Sequence, residues 1–239
     1  MGRAFEVRKV AMAKTAAVKS KLYAKYGKEI YMAAKSGNPD PENNQSLKRI
    51  IERAKRDQVS ADIIKRAIDK AQGGSDESYT SVRYEGFGPG NSQFIVECLT
   101  DNVNRAIAEV RNCFTKTGGK LGISGSVIHQ FNHLAVFALT DMTEDDILNI
   151  MIEKDLDIKD LESDEQGITI YGEAADYNTI RTALVEARPG LEPDTDTIAW
   201  LPITEATLES DEERERFEKL LQMLDEIDDV QEVYHNIVS

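Results

Sequence analysis

The first third of the chain carries apolar residues at helical spacing. Its opening segment, up to Ser36, is rich in Ala, Lys, Met and Tyr and predicts a helix that breaks or frays in its first part. Leu47 and Ala54 share one face of a second helix, and a third begins after the N-cap Ser60 and ends at a Gly-Gly pair. Three amphipathic helices of modest length predict a small helical domain over residues 1–78.

Beyond this domain the spacing changes to the alternation that is typical of strands. Strands are predicted over residues 80–87 and 92–100, on either side of a Gly-Pro-Gly turn. A helix is predicted from about Asn102, and a strand over residues 124–131 follows a glycine-rich turn. This segment therefore predicts the order β-β-α-β.

The elements of residues 132–204 predict a different unit, with the ferredoxin-like order β-α-β-β-α-β. Its strands are predicted over residues 134–139, 156–161, 168–172 and 195–201. A last helix with a capping box and a last strand follow, and we predict that they complete the preceding sheet. The fold class is therefore α+β with three domains: a helical domain over 1–78, a discontinuous α/β domain over 79–131 plus 205–239, and a ferredoxin-like α/β domain over 132–204 inserted in it.

Charge is segregated along the chain. The 239 residues include 29 Lys and Arg and 43 Asp and Glu, a formal net charge of −14 at pH 7. Residues 1–72 carry 17 basic and 8 acidic side chains, a net charge of +9, whereas the remainder carries 12 and 35, a net charge of −23. This asymmetry favours a basic end that meets a polyanion, although attraction between the two parts within the fold would also produce it.

Nucleic acid is the polyanion that the helical domain would contact. Lys14, Lys21, Lys25 and Lys28 share a narrow stripe when they are placed on one helix. The candidate phosphate-binding residues are Arg3, Arg8, Lys9, Lys14, Lys21, Lys25, Lys28, Lys48, Arg49 and Arg53. Such contacts provide salt-dependent affinity with little sequence information. Tyr23, Tyr26 and Tyr31 lie among the lysines, where they would stack on unpaired bases. The alternative is that Tyr23 and Tyr26 pack against the other two helices.

No motif indicates an enzyme, a metal site or a cofactor. Cys98 and Cys113 fall on apolar faces and are expected in the core. His129 and His133 lie on a predicted strand and turn, where their spacing creates no shared metal face. The longest uncharged run contains both histidines and cannot cross a bilayer as a helix, and no signal peptide is evident. We expect a cytoplasmic protein with no catalytic residues, no metal, no cofactor, no small-molecule substrate and no membrane association.

Four blocks of the sequence are similar to those of the YebC family. They are residues 83–90 (RYEGFGPG), 97–105 (ECLTDNVNR), 118–127 (GGKLGISGSV) and 229–236 (DVQEVYHN). The resemblance covers essentially the whole chain, and residues 23–31 and 38–41 look more like its YeeN-type branch. It implies three domains, one helical and two α/β, with no catalytic residues.

The resemblance also implies a function in gene expression. Family members are described as probable DNA-binding transcriptional regulators, whereas the translational activator of cytochrome oxidase and some bacterial members are linked to the ribosome and to relief of stalling. We therefore expect a non-enzymatic, nucleic-acid-binding regulator that contacts duplex DNA or ribosomal RNA through the helical domain. A ribosome-associated translation factor is the alternative, and a pure protein-interaction module is a third. The acidic domains would space, orient or recruit a protein partner.

Overall fold

The computed structural model describes residues 19–73 and 78–238 of the chain. Its contacts divide these residues into two compact units. The first unit comprises residues 19–73, 78–127 and 208–233, and the second comprises residues 128–207 and 234–238. The α+β class is confirmed, while the three-domain boundaries stay a prediction.

Three helices open the first unit: α1 (Lys19–Ser36), α2 (Gln45–Arg56) and α3 (Ala61–Gln72). The side chain of Asn44 caps α2 by accepting a hydrogen bond from the backbone N–H of Leu47 at 3.0 Å. The apolar faces meet in one core that includes Ile30 of α1, Leu47 of α2 and Ile64 of α3. Amphipathic spacing therefore predicted all three helices, although the first half of the opening helix lies outside the described residues.

The turn between α2 and α3 ends α2 with a Schellman motif. Val59 N–H donates to Ala54 O at 2.8 Å, and Gln58 N–H donates to Lys55 O at 3.0 Å. Gln58 has a φ of 60°, the left-handed conformation that this motif usually assigns to glycine. The connection between α2 and α3 thus makes this turn without a glycine.

The first sheet comprises the strands β1 (Thr80–Phe87), β2 (Gln93–Thr100), β3 (Lys120–Leu121) and β8 (Val230–His235). They lie in the order β3-β1-β2-β8. Two helices, α4 (Val103–Lys116) and α7 (Asp211–Asp225), pack on it through aromatic contacts. The rings of Phe114 and Phe217 each lie 5.5 Å from Phe94 on β2. The last strand of the chain thus lies beside β2, at the edge of the sheet.

The prediction of a strand over residues 124–131 is wrong. The strand of this region is the short β3, and residues 128–130 form a 3₁₀ turn before the next strand begins at Phe131. Gly125 has a φ of 90°, which a strand cannot accommodate. In a strand, the backbone N–H groups of Gly125 and Val127 would pair with a neighbouring strand. Here both donate to the carboxylate of Glu85.

The second sheet comprises the strands β4 (Phe131–Leu139), β5 (Asp160–Asp164), β6 (Gly167–Glu173) and β7 (Thr195–Pro202). Their order, β5-β6-β4-β7, is the ferredoxin-like arrangement. The helices α5 (Glu144–Glu153) and α6 (Tyr177–Ala187) cover one face, where Phe137, Ile147 and Ile180 are fully buried. Each neighbouring pair of strands is antiparallel.

One strand of the second sheet begins later than its apolar residues suggest. The strand predicted over residues 156–161 lies at β5, four residues further along. Leu156 and Ile158 are partly buried against the core but belong to the connection that follows α5. Leu156 N–H donates to Met151 O at 2.9 Å to close the helix end, so this residue is not available to a strand ladder.

Candidate nucleic-acid interface

Three lysines of the predicted stripe on α1 contact carboxylates of the same unit. Each ion pair joins a lysine Nζ to a carboxylate oxygen: Lys21 to Asp225 at 3.2 Å, Lys25 to Glu232 at 2.5 Å and Lys28 to Asp229 at 3.0 Å. These oxygens occupy positions that phosphate oxygens would otherwise take. The alternative raised by the charge asymmetry, attraction between basic and acidic parts of one fold, therefore operates on this stripe. A phosphate-binding role for these lysines stays a prediction.

Asp229 is the centre of the most buried of these contacts, with 3% of its side chain exposed. Besides Lys28, its carboxylate accepts hydrogen bonds from Thr100 Oγ1 at 2.8 Å and Arg105 Nη2 at 2.6 Å. Its backbone carbonyl accepts from Leu99 N–H at 2.8 Å. Burial alone raises the pKa of Asp229, but hydrogen bonds from Arg105, Thr100 and Lys28 outweigh it and hold the pKa below its ordinary value. The cluster joins α1, β2, α4 and the segment before β8.

The guanidinium of Arg53 on α2 also interacts with groups of its own unit. Its guanidinium carbon lies 5.8 Å from the ring centroid of Tyr26, whose hydroxyl donates to Asp57 Oδ2 at 2.5 Å. Burial alone lowers the pKa of Arg53, but Glu29, Tyr26 and Glu232 together raise it above its ordinary value. A guanidinium stacked on a buried ring and surrounded by acidic groups is not oriented toward an external phosphate.

The tyrosines among the lysines are core residues rather than stacking platforms. Tyr26 and Tyr31 are each 2% exposed, which leaves no face for a base. Tyr23 is half-buried, and its hydroxyl donates to Gln58 O at 3.3 Å. The idea that Tyr26 and Tyr31 stack on bases is therefore wrong, and the alternative that Tyr23 and Tyr26 pack against the other helices is confirmed.

Other basic residues of the helical segment do face solvent. The exposed set on α2 and α3 comprises Lys48, Lys55, Arg56, Lys65, Arg66 and Lys70. Of the predicted residues, Lys48 belongs to this set and also pairs with the exposed Glu42 at 3.1 Å, whereas Arg49 is half-buried. Residues 45–72 carry eight basic and four acidic side chains, a net charge of +4. We name the exposed set the α2–α3 basic surface.

The remaining predicted residues lie outside the described residues: Arg3, Arg8, Lys9 and Lys14. Conversely, the prediction missed most of the α2–α3 basic surface. Lys55 follows Lys48 by two helical turns, and Lys65 and Arg66 fall between the buried Ile64 and Ala67. Their positions on the side of each helix that does not carry the apolar residues would have identified these exposed basic residues from the sequence.

The glycine-rich segment, residues 118–127, is organised by Glu85 of β1. This residue is 4% exposed, and its carboxylate oxygens accept hydrogen bonds from Gly125 N–H at 2.7 Å and Val127 N–H at 2.6 Å. Its backbone carbonyl accepts a third from Gly122 N–H at 2.8 Å. One acidic residue thereby holds the segment at three backbone positions, and we name the segment the Glu85 loop.

Close packing explains several glycines around this loop. A Cβ atom on Gly86 would lie 2.5 Å from the ring of Phe114, and one on Gly119 would lie 2.5 Å from the carbonyl oxygen of Phe87. Gly118 has a φ of 80° and ends α4. These positions need glycine for packing and turn geometry, and none of them follows a strand into a helix as in a phosphate-binding loop.

The side chains that usually bind metal ions are not grouped in the part of the chain that the structure describes. Within residues 19–73 and 78–238, no three His, Cys, Asp or Glu side chains are grouped so that they could hold a metal ion. Both cysteines are buried as expected, and burial raises the pKa of the Cys98 thiol to about 12. In the same part of the chain, no helix is long and apolar enough to span a membrane.

Family models match the chain along nearly its whole length. Residues 3–74 match the TACO1/YebC protein N-terminal domain, and residues 79–237 match the TACO1/YebC second and third domain. The chain belongs to the TACO1/YebC family. The blocks that carry the Asp229 cluster and the Glu85 loop are those by which the sequence resembles the family, so these blocks have a structural role in this TACO1/YebC chain.

Full-length relatives carry a regulatory name. A protein of Acholeplasma laidlawii is 55% identical over 239 residues, which cover 100% of this chain and 99% of the relative. A protein of Alteromonas mediterranea is 54% identical with the same coverage. Both are named probable transcriptional regulatory proteins. The crystal structure of the conserved hypothetical protein Aq1575 from Aquifex aeolicus is similar in fold, with a TM-score of 0.78, 34% identity and coverage of 95% of this chain and 93% of that one.

Proposed function

We propose that this TACO1/YebC protein regulates gene expression by binding duplex DNA through the α2–α3 basic surface, without catalysing a reaction. The observation that carries the proposal is that one set of basic residues is paired with carboxylates while another is exposed to solvent. The three α1 lysines of the predicted stripe contact internal carboxylates, whereas Lys55, Lys65 and Arg66 are exposed. The regulatory name of the full-length relatives supports the same role.

The arrangement of α2 and α3 fits a duplex. The two helices have 12 residues each and are joined by a four-residue connection, Asp57–Ser60, with Gln58 in the left-handed conformation. Helix pairs of this kind place one helix against the DNA while the other contacts the backbone. Lysine and arginine side chains then release counterions from phosphates, so affinity falls steeply with salt.

A double charge reversal tests the proposal against a matched control. Lys65→Glu with Arg66→Glu removes one lysine and one arginine from α3, and Arg214→Glu with Lys219→Glu makes the same change at exposed positions of α7. Binding to a fluorescent duplex is measured by anisotropy at several salt concentrations. We expect the α3 variant to lose at least about tenfold in affinity and about two from the salt slope. The α7 variant should keep both values close to those of the unchanged protein.

Two outcomes would overturn the proposal. Equal binding by the α3 and α7 variants would show that net charge alone determines the affinity. Absence of duplex binding by the unchanged protein, with salt-sensitive co-sedimentation with ribosomes from DNase-treated lysate, would assign the regulator to translation instead.

A further inference from the structure

An isoleucine at the tip of the Glu85 loop is almost fully exposed. Ile123 is 82% exposed, the largest fraction among the exposed large hydrophobic side chains of the described residues. Burying such a side chain removes apolar surface from water and is favourable. A position that leaves it in solvent is therefore a candidate contact point.

The backbone on both sides of Ile123 is held in place. Before it, Gly122 N–H donates to Glu85 O at 2.8 Å, and after it, Gly125 N–H donates to the Glu85 carboxylate at 2.7 Å. Ser126 N–H closes the turn by donating to Ile123 O at 3.1 Å. The isoleucine consequently projects from an anchored turn, which lowers the conformational entropy that a partner must remove on binding.

The sequence around this turn is basic in an otherwise acidic part of the chain. Residues 102–140 contain four basic residues and a single acidic one, Glu109. Lys116 and Lys120 are exposed, and Lys120 Nζ lies 5.5 Å above the ring of Phe87. An exposed apolar tip that two exposed lysines precede in the sequence suits an anionic partner that also offers a flat apolar surface.

We propose that the Glu85 loop is a second nucleic-acid contact that recognises an unpaired base. Lys116 and Lys120 contact phosphates, and Ile123 packs on the face of the base. An aliphatic side chain cannot hydrogen-bond to base edges, and base faces are accessible only where stacking is interrupted. This inference rests on the proposed nucleic-acid function, but it concerns a different element and a different feature of the nucleic acid.

The test compares a fully paired duplex with the same duplex carrying one bulged 2-aminopurine. We expect the unchanged protein to bind the bulged duplex about tenfold more tightly, because the isoleucine is buried only there. Ile123→Ser should remove that preference and leave binding to the paired duplex unchanged. Ile152→Ser is the matched control, since Ile152 is 76% exposed on α5, and it should keep the preference.

The lysines are tested separately with the double variant Lys116→Gln and Lys120→Gln. It should weaken binding to both duplexes and lower the salt slope by about two. A preference for the bulged duplex that persists in Ile123→Ser, or that is absent from the unchanged protein, would overturn the loop proposal alone. Failure of the unchanged protein to bind either duplex would overturn both proposals. Binding to poly-glutamate as tight as to the bulged duplex would assign the loop to acidic proteins instead.

Discussion

Two buried carboxylates of the first unit, Asp229 and Glu85, are held by different kinds of donor. Asp229 accepts its hydrogen bonds from side chains, two of them cationic, which come from three separate elements. Glu85 accepts from backbone N–H groups of one short segment. Side-chain donors join distant parts of the chain and depend on the identity of each donor, whereas backbone donors shape a loop whose side chains remain available for other contacts.

The largest effect is expected from Asp229→Ala. It leaves Lys28 and Arg105 without their shared carboxylate, and removing one partner of a buried ion pair costs about 3–5 kcal/mol. The free energy of unfolding, measured in denaturant by circular dichroism, should fall by about that amount. Asp225→Ala is the control, because Asp225 is 68% exposed in its pair with Lys21 and its removal should cost less than about 1 kcal/mol. Equal losses in the two variants would contradict the central role of Asp229.

A smaller and more local effect is expected from Glu85→Gln. The amide oxygen still accepts one N–H, but its NH₂ group meets the second N–H as donor against donor, at a cost of about 1–3 kcal/mol. Amide hydrogen exchange at Gly125 and Val127 should accelerate, while exchange in α1 stays unchanged. Glu109→Gln, at an exposed position of α4, is the control. Protection that is unaltered at both amides would show that the Glu85 charge does not hold the loop.

The smallest effect is a difference in acid sensitivity. The pKa of Asp229 is below its ordinary value in the folded protein, whereas an Asp side chain in the unfolded chain has a pKa of about 3.9. Its stabilising contribution is therefore complete above about pH 4 and is lost as the pH falls through the folded-state pKa. As the pH falls below about 4, the free energy of unfolding should therefore decrease more steeply in the unchanged protein than in Asp229→Asn. Parallel curves between pH 2 and pH 5 would contradict this assignment.

Local patterns predicted the architecture well wherever local forces determine it. The helical spacing around Leu47 and the succession of strands and helices in the second sheet follow from periodicity and caps within each segment. The strand predicted over residues 124–131 failed because its backbone N–H groups donate to Glu85, about 40 residues earlier in the chain. No pattern within the segment contains that information.

The candidate site was harder to predict for the same physical reason. The spacing of Lys21, Lys25 and Lys28 correctly indicated one helix face, but it could not show that carboxylates of the tail contact that face. Charge totals favoured an external polyanion, although an internal acidic partner would produce the same asymmetry. Distinguishing them requires the tertiary contacts that bring residues 225–232 to α1.

The position of Asp229 near the end of the chain has a consequence for biosynthesis. Lys28 and Asp229 are separated by 201 positions, so the N-terminal helix is synthesised long before its acidic partners leave the ribosome. During that interval the lysine stripe of the nascent chain lacks the carboxylates that contact it in the folded unit. Once residues 225–232 have been synthesised, their carboxylates reach the stripe intramolecularly, at a far higher effective concentration than a separate molecule would provide. The order of synthesis therefore makes the pairing of α1 one of the last steps in the folding of this unit.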